Sequence, residues 1–240
     1  MYSISTILGV LFAIALVLFL VLSNVRWAFT STALYEFGFA RYDVTSTTGL
    51  TPTQLSEAAQ QIRDYFNSPT KLLDVRVSVN GAKRELYNDR EVHHMLDVKD
   101  LLKKIYRVQE GAFFYLMLFV TTGFFTMGNN FSSRLRRFFL VGSLLTIGLV
   151  AVLGLASLVG FEQLFVLFHE ISFSNNLWQL DPNSSYLLRM FPQSFWLEAT
   201  MLIGLVSMVE ALAIIILLAI LTWWQHWRQR VAQRKIPRYV

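Results

Sequence analysis

Four long apolar runs divide the chain, at about Ile4 to Val25, Gly111 to Gly128, Phe138 to Phe161 and Leu197 to Trp224. A helix needs roughly 20 mostly apolar residues to cross the hydrocarbon core of a bilayer, so each run predicts a transmembrane helix. The first has no basic segment ahead of it and no small-residue cleavage pattern behind it, which marks a retained helix rather than a signal peptide. Two polar segments remain, Arg26 to Glu110 and Glu162 to Phe195.

In the first of these the pattern changes period. Thr51-Pro52-Thr53-Gln54 reads as a capping box with proline at the first helical position, and Leu55, Ala59, Ile62 and Phe66 follow at helical spacing, predicting an amphipathic helix over 52–66. Val75, Val77 and Val79 then alternate with polar neighbours before Asn80-Gly81, the pair most favourable to a tight turn, and Lys83 to Tyr87 form the returning strand of a hairpin. Asn88-x-x-Glu91 predicts a cap for one helical turn, and Asp97-Val-Lys-Asp100 a cap for a second helix through Leu101, Leu102 and Ile105. The fold class that results is mainly α, a polytopic membrane protein with four transmembrane helices and a small α+β extracytoplasmic cap. Its expected segments are a first span over 1–26, the cap over 27–110, a second span over 111–128 and a basic cytoplasmic loop over 129–137. A third span over 138–161, an extracytoplasmic interfacial loop over 162–196, a fourth span over 197–226 and a basic tail over 227–240 complete the chain.

Composition agrees: 54% of residues are hydrophobic, 15% are charged and the mean hydropathy is +0.45, whereas soluble domains carry about a quarter charged residues. The net charge of +5 does not point to nucleic acid. Arg134, Arg136 and Arg137, and the tail residues Arg228, Arg230, Arg234, Lys235 and Arg238, each abut a span. That distribution follows the positive-inside rule and predicts a cytoplasmic loop and tail, hence a cytoplasmic N-terminus and two extracytoplasmic polar segments. Trp27 and Trp196 at one level, and Trp223, Trp224 and Trp227 at the other, fit interfacial belts.

Topology sorts the four histidines. His226 falls among tryptophans and arginines at the inner end and reads as interfacial. His93 and His94, in Glu91-Val-His-His-Met-Leu-Asp97, fall on the outer side with His169, which sits in a loop rich in phenylalanine and tryptophan. Alone, His94 reads equally well as a structural histidine bonded to a helix start, and Glu91 and Asp97 as caps. A second outer imidazole at the same depth makes a two-histidine site possible, with His93 pointing away. Glu91, His94, His169 and Glu170 offer mixed nitrogen and oxygen ligands, but the zinc pattern H-E-x-x-H is incomplete, since "HEISF" ends in Phe173. No metal or other cofactor is expected. There is no cysteine and no G-x-S-x-G elbow, and Ser68-Pro-Thr-Lys71, which fits S-x-x-K, has the flanks of a turn. Glu210 falls in mid-span, where a charged carboxylate costs about 2.5–3.5 kcal/mol, so it reads as a protonated or partnered packing group. Glu198 lies nearer the outer surface, where it can face the site.

The stretches "REVHHMLDVKDLL", "FHEISFSNNLWQLDP" and "LLRMFPQSFW" resemble the lipoprotein intramolecular transacylase family of bacterial membrane proteins. The resemblance covers topology along the whole chain, while its specific motifs occupy about 90–102 and 168–196; Gln193 departs from the acid that often follows the proline in that family. It implies that His94 and His169 are the essential histidines. It also implies transfer of the sn-2 acyl chain of a diacylglyceryl-cysteine to the same cysteine's α-amino group, leaving a lyso-form N-acylated lipoprotein. The expected partners are a diacylated lipoprotein and membrane lipids, and no nucleic acid. On this reading Glu91 or Asp97 orients His94, and Asn175, Asn176 or Trp178 binds the ester carbonyl or the developing oxyanion. The alternatives are a metal-dependent membrane lipid hydrolase and a non-enzymatic lipid-binding or sensory protein.

Overall fold

The structure, a computed structural model, describes residues 4–79, 81–126 and 131–234. Asn80, Gly128, Lys235 and Arg238, and the side chain of Arg234, which enter the expectations above, lie outside the described residues. The helices are α1 (Ile4–Thr30), α2 (Thr32–Arg41), α3 (Val44–Thr48), α4 (Pro52–Asn67), α5 (Asp89–Thr126), α6 (Phe131–Ser172), α7 (Tyr186–Met190) and α8 (Gln193–Arg234). Strands β1 (Arg76–Val79) and β2 (Ala82–Glu85) pair antiparallel. Helices α1, α5, α6 and α8 each contain a stretch long and apolar enough to cross a membrane.

The chain divides into two compact units, one from Met1–Val21, Gln109–Ala151 and Leu205–Val240, the other from Leu22–Val108 and Val152–Gly204. The first packs around Phe12, whose ring meets Phe119 at 5.0 Å and Phe139 at 4.9 Å. Small residues let its helices approach: a Cβ on Gly142 would come 3.0 Å from the carbonyl oxygen of Ala13. In α8, Glu210 is half-buried and partnered.

The second unit holds the hairpin and the short helices. Helix α4 begins with the predicted capping box: the Gln54 N–H donates to Thr51 Oγ1 (3.3 Å) and the Thr51 N–H to Gln54 Oε1 (2.7 Å). Its apolar stripe, Leu55, Ala59, Ile62 and Phe66, is buried with Tyr35, Phe39, Val44, Val77, Met95, Met190, Phe191 and Phe195. Gly81 closes the hairpin at φ +81°, where glycine is the natural choice. The outward-facing edge of β1 is covered by α4. The Arg76 N–H donates to Gln61 Oε1 (3.0 Å) while Gln61 Nε2 donates to the Arg76 carbonyl (3.0 Å), and Gln54 Nε2 donates to the Ser78 carbonyl. Strand β2 is exposed along its length.

Ser68–Lys71 is the turn after α4. It is fastened by Lys99, almost fully buried, whose ammonium donates to the carbonyls of Tyr65 and Thr70 (2.7 Å to the latter) and lies 3.9 Å from the Tyr65 ring centroid.

The expected helix boundary at Asp97 is corrected. Helix α5 is continuous from Asp89, because no breaker interrupts it, and Asp97 is an interior residue; the Asn88 and Glu91 pair caps the whole helix. The expected loop over 162–196 is also largely helical. Residues up to Ser172 continue α6 beyond a non-helical Gly160 (φ −160°, ψ 64°), and α7 and the start of α8 fall in the same stretch. Helices α2 and α3 lie where no element is expected from the pattern.

A Cβ placed on Gly38 would fall 2.5 Å from the Phe195 ring. Gly38→Ala is therefore expected to overpack this contact and cost about 1–3 kcal/mol, read as a lowered unfolding midpoint in detergent; an unchanged midpoint would show that the ring has room to move.

Candidate active site

The first three turns of α5 gather the second polar segment. Glu91 has no solvent exposure. Its Oε2 accepts from the Asn88 N–H (2.8 Å) within the helix cap. Its Oε1 accepts from Ser185 Oγ (2.6 Å) and from the Leu187 N–H (2.8 Å) at the start of α7. A buried carboxylate is tolerated when its lone pairs are satisfied this way, and here three donors do it. Arg90 Nη2 donates to the carbonyl of Asn176, and Asp97 Oδ2 accepts from Asn175 Nδ2 (2.8 Å).

Between these ties stands His94, and the arrangement brings it to His169. Each is 7% exposed, and their ring centroids lie 6.0 Å apart at an interplanar angle of 34°. Helix position sets both: His94 is one turn after Glu91, and His169 sits in the last turn of α6. His169 is enclosed by aromatic rings, with centroids at 4.3 Å (Phe165), 5.0 Å (Trp178), 5.3 Å (Phe168) and 5.7 Å (Phe173). Phe173 also meets His94, nearly edge-on, at 5.5 Å and 80°.

The two imidazoles differ in their hydrogen bonds. His169 Nδ1 lies 2.6 Å from the Phe165 carbonyl. A carbonyl cannot donate, so Nδ1 carries the proton, and in the neutral ring Nε2 keeps a lone pair. His94 Nδ1 is buried with no partner among the described residues. A bare acceptor there is cheaper than an orphaned N–H, which favours the proton on Nε2. His94 lies in the polar first turns of α5, ahead of the apolar stretch that begins near Gly111. Burial, reinforced by His169 and partly opposed by the Asp97 carboxylate, pushes its pKa down to about 4. At neutral pH His94 is uncharged.

The remaining expectations sort as follows. His93 is exposed and donates from Nδ1 to the Asp89 carbonyl (2.7 Å), away from the pair. His226 is exposed. Asn175 is engaged at both ends of its amide, since Oδ1 also accepts from the Leu177 N–H (2.9 Å). Asn176 contributes its backbone carbonyl to Arg90, and its side chain is exposed. Trp178 packs on His169. Glu198 does not face the histidines but pairs with Arg41 at 2.9 Å. Glu91, committed to three donors, is not free to join His94 in a ligand set, and among the described residues no three His, Asp or Glu side chains are gathered as a metal cluster. Sequence reasoning missed Ser185 and Arg90 as ties. The serine before the short run Tyr186–Met190 is a readable N-cap, but its carboxylate partner lies far away in the chain.

Residues 10–196 match the family model described as lipoprotein intramolecular transacylase Lit. A curated relative from Aquifex aeolicus (strain VF5), described as an uncharacterized protein, is 26% identical over 140 residues, which is 58% of this chain and 59% of that one; the match thus spans less than two thirds of the relative's length. Among solved structures, the membrane integral lipoprotein intramolecular transacylase Lit from Bacillus cereus, determined in meso, superposes with a TM-score of 0.73 at 22% identity, covering 94% of this chain and 97% of that one. A form of the same protein with a histidine-to-alanine mutation gives a TM-score of 0.72 at 20% identity, covering 92% of this chain and 94% of that one. These likenesses establish a common fold.

The ties to Glu91 generate a stability prediction. Glu91→Ala leaves the buried donors of Ser185 and Leu187 without an acceptor and is expected to cost about 1–3 kcal/mol per unsatisfied group, whereas Glu91→Gln retains one acceptor oxygen and costs less. Unfolding of the two variants in detergent compares them, and equal stability of Glu91→Ala and wild type would contradict the tie.

Proposed function

The chain belongs to the lipoprotein intramolecular transacylase family, and on that premise we propose that it moves the sn-2 acyl chain of a diacylglyceryl-cysteine lipoprotein onto the α-amino group of the same cysteine. The product is a lyso-form N-acylated lipoprotein. The observation that carries this reading is the apposition of His94 and His169 at 6.0 Å inside an aromatic enclosure. One ester and its neighbouring amine are small enough to reach both rings.

The amine nitrogen attacks the ester carbonyl carbon, the bond from that carbon to the glycerol oxygen breaks, the nitrogen loses a proton and the glycerol oxygen gains one. No atom enters or leaves overall. His169, with its lone pair on Nε2, takes the proton from nitrogen and, as the imidazolium so formed, gives it to the departing glycerol oxygen, while the N–H of neutral His94 donates a hydrogen bond to the carbonyl oxygen as negative charge develops there. Because both reacting groups belong to one molecule, the protein's chief task is to fold the lipid head onto itself, and such orientation can supply some 7–11 kcal/mol. An enzyme nucleophile is not required. The basic residues flanking the spans support cytoplasmic termini, which puts the site at the extracytoplasmic face of the bacterial cytoplasmic membrane, where the diacylated substrate's acyl chains lie in the adjacent lipid.

Incubating the purified protein with a diacylated lipopeptide is expected to leave its intact mass unchanged while fragmentation finds one acyl group on nitrogen. Release of a fatty acid, or an unaltered lipopeptide, would overturn the reading. His94→Ala and His169→Ala are each expected to slow the conversion by about 10²–10⁴-fold.

The substrate amine has a reference pKa of about 7.7–8.0, while His94 stays neutral until the pH approaches about 4. kcat/KM should therefore fall as pH drops below the amine's range and level off above it. A wild-type profile flat from pH 6 to 9 would show that amine deprotonation does not govern the rate.

A further inference from the structure

His169 is followed by a segment that turns back over it. Helix α6 ends with the Phe173 N–H donating to the His169 carbonyl (2.9 Å), and two further turns follow, the Gln179 N–H to the Asn176 carbonyl (3.2 Å) and the Leu180 N–H to the Trp178 carbonyl (2.9 Å). This turn contributes Phe173, which contacts both imidazoles, and Trp178, which packs on His169. Asn175 lies between them, with its amide fixed at both ends: Oδ1 accepts from Leu177 within the turn and Nδ2 donates to Asp97 on α5. Asp97 is three residues beyond His94 and so shares its side of the helix. Two hydrogen bonds thus tie the His94 helix to the wall around His169: Arg90 donates to the Asn176 backbone carbonyl, and the tie nearer Phe173 on the chain runs through one carboxylate and one carboxamide.

We propose that Asp97 and Asn175 are positioning residues for the transfer reaction, and that their hydrogen bond sets the separation and tilt of the two imidazoles by anchoring the turn that carries Phe173 and Trp178. This replaces direct substrate contact as the role of Asn175. It rests on the acid–base reading of the histidine pair. An error of about 1 Å in the placement of reacting groups can cost on the order of 10²-fold in rate, so a joint of this kind acts on kcat while binding of the acyl chains and lipid head, and hence KM, stays near wild type.

Four variants, assayed with the diacylated lipopeptide beside wild type, test the proposal. Asp97→Ala and Asn175→Ala are expected to lower kcat by about 10–100-fold with KM changed less than about threefold, on the scale set by such misplacement. Asp97→Asn keeps an oxygen that accepts from Asn175 and should lose less than about fivefold; a loss as large as that of Asp97→Ala would show that charge and not placement matters, and would overturn the proposal. Asn175→Asp sets two carboxylates against each other and should be at least as impaired as Asn175→Ala. Combining Asp97→Asn with Asn175→Asp rebuilds the bond with donor and acceptor exchanged, and recovery to within about tenfold of wild type is the non-additive signature of a direct pair. A double variant no better than its worse single member would also overturn it.

Histidine ¹⁵N NMR on the same proteins reads the geometry without turnover. The His169 ring signals are expected to move in Asp97→Ala and to return in the exchanged pair, whereas signals unmoved by Asp97→Ala would refute the joint even if wild type were inactive. Loss of lyso-product by wild type itself would instead strike the acid–base reading.

Discussion

A carboxylate with no access to water constrains everything around it, and Glu91 is that group here. Left unpaired it would be costly, and Asn88, Ser185 and Leu187 converge on it. Asn88 is local, but the other two come from beyond α6 in the chain. Order at the start of α5 and order in the second polar segment are therefore one condition. Arg90 and Asp97, on neighbouring turns, extend the same dependence to Asn176 and Asn175. His94 stands in the middle of this row, so the helix that carries one imidazole is also the template for the segment that encloses the other.

The parts legible in the sequence are those decided locally. Thr51 to Gln54 announces α4 through side chains that satisfy their own helix start, and the alternating valines before Gly81 announce the hairpin, since period and turn chemistry need no tertiary partner. Helix α3 was not legible, because Val44–Thr48 is rich in β-branched residues of poor helical propensity and is held by burial of Val44 between left-handed Asp43 and Gly49. Asp97 misled for the opposite reason: a residue that often begins a helix is here retained inside one because its carboxylate binds a distant loop. The pairing of His94 with His169 came from topology and family resemblance, as no spacing in the chain encodes a contact made in three dimensions.

The two histidines also show how environment divides labour between identical side chains. One has its Nδ1 proton fixed by the carbonyl four residues back; the other has no partner for Nδ1 among the described residues. Residue type supplies an ambidextrous ring, and the surroundings decide which nitrogen bears hydrogen. The asymmetry needs no charged neighbour in direct contact, which suits a site whose substrate brings an ionisable amine of its own.

The glutamines along α4 carry a different consequence. By offering Gln61 as both donor and acceptor to Arg76, and Gln54 to Ser78, the protein supplies β1 with an imitation of a neighbouring strand built from side chains. The ribbon is left with a single adhesive flank, along β2. An object that can stick on one side only cannot propagate: strand-to-strand association between molecules would end at a pair, and fibrillar growth through this ribbon is closed off by two amides.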